Sequence, residues 1–123
     1  MQNDKLKFKE EFKERVYSFA LDIIKFIERL PKEQTSRIIG GQLLRSATSI
    51  GANVVEAQGA ASRKDYTNFF TYALKSANET KFWLGLLRDS GKAEGEAADQ
   101  LLKEATEIAN ILAASILTLK GKR

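Results

Sequence analysis

The fold class is decided by positions 7–31, which read KFKEEFKERVYSFALDIIKFIERLP. Large apolar side chains recur there at intervals of three and four residues, which is the spacing of one face of an α-helix. This apolar stripe consists of Phe8, Phe12, Val16, Phe19, Ile23, Phe26, Ile27 and Leu30. Pro31 closes the segment, because proline disfavours the α conformation at the residue before it. The pattern therefore predicts an amphipathic helix from about Lys5 to Leu30.

The rest of the chain contains three more segments of the same kind. Glycines and the single proline punctuate the sequence near positions 31, 60 and 91. We predict a second helix over about 33–59, a third from Ser62 to a glycine cap at Gly91, and a fourth over about 93–120. Because short loops make successive helices antiparallel neighbours, the sequence predicts an all-α fold. We predict an antiparallel up-down-up-down four-helix bundle that forms a single domain over residues 1–123.

The composition excludes several classes of chemistry. The 123 residues include no cysteine and no histidine, which removes disulfides and the commonest metal ligand and general base. Glu56 and Glu79 could pair for metal or proton chemistry, but a di-iron site in a bundle uses Glu-x-x-His motifs. We therefore expect a protein that is not an enzyme, with no catalytic residue, metal or cofactor. Neither a long apolar run nor a signal-peptide core is visible, so we expect a cytoplasmic protein with no membrane contact.

A narrow polar stripe runs along the second helix and continues on the third. It consists of Gln42, Arg45, Ser49, Asn53 and Glu56, with Ser76 and Glu79 on the third helix. One interpretation is a ligand or nucleic-acid site, and the other is a polar seam that fixes the register of the two helices. Arg45 and Glu56 are about 16 Å apart along one helix and cannot pair directly. We favour the seam, with Glu79 as the partner of Arg45 in a buried network.

Apolar side chains exceed what one bundle core requires. On the third helix, Tyr72, Phe82, Trp83 and Leu86 lie away from the core stripe. The apolar residues of the second helix spread over about 160° of its circumference, which is wide for a helix packed on one side. Ordinary partial exposure is one explanation. Because large exposed apolar patches often mark interfaces, we favour a contact between subunits.

Basic residues are concentrated in one quarter of the chain. The net charge is +4, and residues 34–64 carry four basic residues against one acidic residue. The candidate phosphate contacts are Arg37, Arg45, Arg63 and Lys64, with the tail residues Lys120, Lys122 and Arg123. The alternative for each of them is a solvated position at a helix end. No aromatic residue is interleaved with them in the manner of a platform for single-stranded nucleic acid.

Two stretches of the chain resemble a known protein family. They are residues 42–57, QLLRSATSIGANVVEA, and residues 65–76, DYTNFFTYALKS, which Glu79 follows. The first loop, with Leu30-Pro31-Lys32-Glu33, fits as well. The chain resembles the four-helix proteins encoded within intervening sequences of bacterial 23S ribosomal RNA genes. These are related to the accessory variability proteins of diversity-generating retroelements.

The sequence also departs from the family pattern at two positions. Gly51 stands where the family usually has proline, and Ala57 where it usually has glycine. The resemblance implies a homo-oligomer, with a pentamer shaped like a short barrel favoured, and nucleic acid as the ligand. For the retroelement relatives it also implies a reverse transcriptase as partner.

Together these observations predict a non-enzymatic bacterial homopentamer that binds RNA or DNA through a basic surface. The alternative is an oligomeric adaptor that binds a partner protein, such as a reverse transcriptase, without catalysis.

Overall fold

Four α-helices make up the computed structural model, which describes residues 2–121. They are α1 (Gln2–Glu28), α2 (Gln34–Ala57), α3 (Arg63–Asp89) and α4 (Gly95–Leu119). Each helix packs against its neighbour in the sequence, and α1 also contacts α4. The predicted all-α four-helix architecture is confirmed, with every helix end within about one turn of its expected position.

Local signals set several of these ends. Glu33 caps α2, because its side chain accepts a hydrogen bond from the Ser36 backbone N–H at 2.9 Å. Ser62 caps α3 in the same way, through the N–H of Asp65 at 3.1 Å. Gly91 follows α3 with a φ of 77°, a left-handed conformation that favours glycine. The loops therefore end each helix and turn the chain back along it.

The core combines large side chains on α1 with a mixture of large and small ones on the other helices. Phe12, Val16, Phe19, Ile23 and Phe26 bring the bulk of α1 into the interior. The buried small residues elsewhere are Ala47, Ala57, Ala73, Ala77, Ala98, Ala105 and Ala109. Because interaxial distance depends on the side chains at the contact, the alanines allow α2, α3 and α4 to pack closely. The contacts of α1 with α4 are the least extensive of the bundle.

The structure corrects the predicted core in two ways. Phe8 continues the predicted apolar stripe of α1 but is exposed, and among the apolar residues of α2 Leu44 and Val55 are exposed as well. Buried hydroxyl groups, which the apolar pattern did not predict, lie between α2 and α3. The Ser46 and Thr80 hydroxyls are fully buried and 2.9 Å apart. Each also reaches a carbonyl of its own helix, so this buried pair is hydrogen-bonded.

Gly51, where the family usually has proline, lies within an unbroken α2. A Cβ built at this position would meet Val16 of α1 at 3.7 Å, an ordinary contact distance. No helix of the described residues is long and apolar enough to span a bilayer.

Candidate nucleic-acid interface

The polar seam between α2 and α3 brings most of its predicted members together. Arg45 forms an ion pair with Glu79 and also donates a hydrogen bond to the side-chain oxygen of Gln42 at 3.0 Å. One turn further along, the Ser76 and Ser49 hydroxyls are 3.0 Å apart, and Asn53 donates to Ser49. These contacts link the two helices in one register.

The expected burial of this seam is wrong. The Arg45 side chain is 57% exposed and that of Glu79 is 36% exposed, so the ion pair faces solvent. Glu56 is separate from the pair and lines an apolar groove between α1 and α2. The buried Ser46 and Thr80 hydroxyls occupy the interior between α2 and α3, and the longer charged side chains of Arg45 and Glu79 lie at its outer edge.

The flank of α3 presents three of its four predicted apolar residues to solvent. Tyr72 is 50% exposed and Phe82 60% exposed, and Leu86 is exposed as well. Trp83 instead packs against the core and donates its indole N–H to Glu79 at 2.9 Å. Trp83 therefore makes contacts within its own subunit, whereas Tyr72, Phe82 and Leu86 form an exposed apolar surface.

Arg45 lies in the middle of α2, and the other predicted basic residues that the structure describes lie at the two ends of the bundle. Arg37 lies about 30 Å along α2 from the end of that helix, so it is far from Arg63 and Lys64. Arg63 donates a hydrogen bond to the Leu119 carbonyl at 2.9 Å, which joins the start of α3 to the end of α4. Lys120 follows immediately. Lys122 and Arg123 lie outside the described residues.

The first turns of α1 add two lysines that the sequence analysis did not single out. The Lys9 ammonium lies 5.4 Å from the centre of the Tyr66 ring on α3, within range of a cation–π contact. Lys5 lines the same cleft one turn earlier. We call Lys5, Lys9, Arg63, Lys64 and Lys120 the basic end. Within the described part of the chain, none of the ion pairs involves these five residues.

Other basic residues are occupied in holding the helices together. Arg15 of α1 makes two hydrogen bonds of 2.7 Å to Glu104 of α4 and one of 2.8 Å to Glu107. These bonds raise the pKa of Arg15 above its usual value. Lys92 binds Glu33 at 2.9 Å, and this contact, with Ser36, lowers the pKa of the Glu33 carboxyl to about 2. Arg15 and Lys92 are therefore held in ion pairs with carboxylates, unlike the cations of the basic end.

A cleft of about 710 Å³ opens at the basic end, between the start of α1 and the end of α4. Phe8, Tyr66 and Phe70 form its aromatic floor, and Lys5, Lys9, Arg63 and the carboxylate of Asp4 lie around it. Partial burial raises the pKa of the Tyr66 hydroxyl. No group of three or more acidic side chains suited to a metal ion occurs among residues 2–121. The site thus combines cations with an apolar floor.

Residues 9–114 match the model of the 23S rRNA-intervening sequence protein family. The chain belongs to this family. It is also similar to a protein of unknown function from the S23 ribosomal protein family of Bacteroides thetaiotaomicron VPI-5482, known from a crystal structure. The two are 38% identical with a TM-score of 0.82, and the match covers 88% of this chain and 96% of the other. A search of curated proteins gives no match. Because the family match spans all four helices, the family and the fold agree.

Proposed function

We propose that this member of the 23S rRNA-intervening sequence protein family is a non-enzymatic homo-oligomer that binds RNA through its basic end. One observation carries the proposal: five basic residues that are far apart in the sequence lie together at the same end of the bundle. Phosphate contacts by lysine and arginine supply the sequence-independent part of nucleic-acid affinity.

The charge of one subunit is modest, and symmetry would multiply it. Asp4 and Asp65 lie among the five cations, so the basic end carries five minus two, or +3. In a homopentamer this excess would be repeated five times, and several subunits could reach one strand. The family's description refers to 23S rRNA, and RNA is therefore the nucleic acid that we propose.

The exposed flank of α3 supports the homo-oligomer. Tyr72, Phe82 and Leu86 form an apolar surface with no covering element in the described subunit. Such surfaces commonly become subunit interfaces. Light scattering coupled to gel filtration tests this part, and we expect a pentamer. A species of 13.7 kDa at micromolar concentration would contradict it.

Salt-dependent RNA binding tests the main proposal. We expect micromolar or tighter binding of a single-stranded RNA at low salt, falling steeply between about 50 and 200 mM salt. The variant Lys5→Gln/Lys64→Gln/Lys120→Gln removes three exposed cations of the basic end. If all three contact phosphates, the slope of log K against log salt should fall by about 2 for each engaged subunit.

The matched control removes the same charge from the opposite end. Arg29→Gln/Lys32→Gln/Arg37→Gln changes three exposed basic residues near the α1–α2 loop. This variant should bind RNA as the wild type does. Equal losses in both variants would mean that only net charge matters, and absence of RNA or DNA binding at low salt would refute the proposal.

The second candidate function is an adaptor that binds a partner protein. The observation that favours it is the apolar groove of about 540 Å³ between α1 and α2, which Tyr17, Leu21, Ile24 and Val55 line. An amphipathic helix of a partner, such as a reverse transcriptase, could lie in a groove of this kind. The adaptor function would be supported if the oligomer binds that partner but not nucleic acid, and if Leu21→Ser weakens the binding of the partner.

A further inference from the structure

We propose that the cleft at the basic end receives one unstacked base of a single-stranded RNA. The base would lie against Phe8 and Tyr66, and its flanking phosphates would contact Lys5, Lys9 and Arg63. This inference rests on the proposed RNA binding and adds how the strand is held.

The aromatic floor has one face free for stacking. Phe8 and Phe12 are parallel, with an angle of 4° between their rings and 5.9 Å between the ring centres. Phe12 is buried, while the parallel ring of Phe8 is 45% exposed and lines the cleft. A base placed on the open face would extend this existing stack. The exposure of Phe8, which contradicts its predicted core position, has a use in such a site.

Tyr66 forms a second wall of the same floor. Its ring stacks on that of Phe70 with 4.9 Å between ring centres. Phe70 in turn lies 6.3 Å from Phe12, so the aromatic rings of α1 and α3 form one connected group. Connected and partly buried rings are held in place before any ligand arrives. A base would therefore meet a preorganised surface.

Cations stand where the phosphates on either side of such a base would lie. Lys5 and Lys9 are four residues apart on α1, so they line one edge of the cleft about 6 Å from each other along the helix. Arg63 lies across from them, and its contacts with the carbonyls of Leu119 and Thr118 fix its position. Two of the five guanidinium N–H donors are used in these contacts, and three are left for a phosphate.

The dimensions and chemistry of the cleft fit a nucleotide better than a purely apolar ligand. Its 710 Å³ lies within the range of about 300–1,000 Å³ of small-ligand sites. An apolar ligand would contact the floor but make no use of the positive charge that Lys5, Lys9 and Arg63 retain over the one carboxylate of Asp4. A nucleotide supplies both a ring for the floor and an anion for the edge. Base–aromatic stacking tolerates any base, so little sequence preference is expected.

The test separates bases from phosphates. The oligomer is titrated with a fluorescent U12 RNA and with an abasic strand of equal length and charge. The wild type should bind U12 about fivefold to a hundredfold more tightly, because stacking a base on an aromatic ring contributes on this scale. Phe8→Leu, which keeps an apolar side chain but removes the ring, should lose most of this preference and leave abasic binding unchanged.

A matched control and three contrary outcomes complete the design. Tyr17→Leu makes a similar change at an exposed position of α1 outside the cleft and should behave as the wild type does, and circular dichroism checks that each variant is helical. Equal affinity of the wild type for both strands would overturn the base site and leave phosphate binding intact. A base preference that Phe8→Leu retains would place the base elsewhere. If neither strand binds, both proposals fail. A copolymer of Glu and Tyr, which imitates an acidic and aromatic protein segment, then tests the cleft as a protein site. Binding of this copolymer that Phe8→Leu weakens would show such a site.

Discussion

The ion pair between Arg15 and Glu104 should contribute more to the free energy of unfolding than any other ion pair of the described residues. Both Glu104 oxygens accept from Arg15 at 2.7 Å, and the two side chains are only 34% and 31% exposed. Fully exposed pairs contribute about 0.2–1 kcal/mol, and bidentate charge-assisted geometry adds to this. We therefore expect a coupling free energy of about 1–2 kcal/mol. Glu107 makes one bond and is 46% exposed, so its coupling to Arg15 should be about 0.5 kcal/mol or less.

Two double-mutant cycles measure these couplings. Arg15→Met keeps an unbranched apolar stem and removes the charge, and it is combined with Glu104→Gln in one cycle and with Glu107→Gln in the other. Urea unfolding at one fixed protein concentration gives each free energy, since oligomerisation would otherwise shift it. Both couplings should decrease in 1 M salt. Equal couplings for the two glutamates, or none for either, would refute the ranking from geometry and exposure.

Three further predictions follow from contacts elsewhere in the bundle. Glu79→Gln should lower the free energy of unfolding by about 1 kcal/mol or less, because its ion pair is exposed; a loss above about 3 kcal/mol in urea would mean a buried network. The low pKa of Glu33, caused first by Lys92, gives stability that is present above about pH 4.5 and lost as the pH falls through about 2. Thermal unfolding of the wild type and Glu33→Gln should therefore converge across this range, and a constant difference would contradict it. Ser46→Ala and Thr80→Val should each cost about 0.5–1.5 kcal/mol, and the double variant less than their sum. Strict additivity in urea would show that the hydroxyls do not interact.

The helices could be predicted because their signals are local. The stripe from Phe12 to Leu30 repeats with the period of the helix, and Pro31 and Gly91 end helices for reasons confined to a few residues. The exposure of Phe8 could not be predicted this way. Its position continues the stripe, but the side chain faces the open cleft between α1, α3 and α4, and only the packing of the helices creates that cleft.

The basic end was hidden for a different reason. Lys9 comes from the first helix and Lys120 from the end of the last, and only the antiparallel topology brings them together. Counting charge over residues 34–64 instead combined Arg37 with Arg63, which lie at opposite ends of the bundle. The aromatic partner of these cations is Tyr66, three positions after Arg63. Its contact with Lys9 depends on how α1 packs against α3.

The link from Arg15 to Glu104 spans 89 positions and joins the first helix to the last, which sets an order for folding on the ribosome. As the chain emerges, α1 can pack against α2 at once, but its other side waits for α4. At about 5–20 residues per second, synthesis of the intervening segment takes about 5–20 s. During that time the phenylalanines of α1 have only part of their final cover. The stage of greatest aggregation risk for this protein therefore falls before its last helix is made, and α4 ends that stage when it closes the bundle.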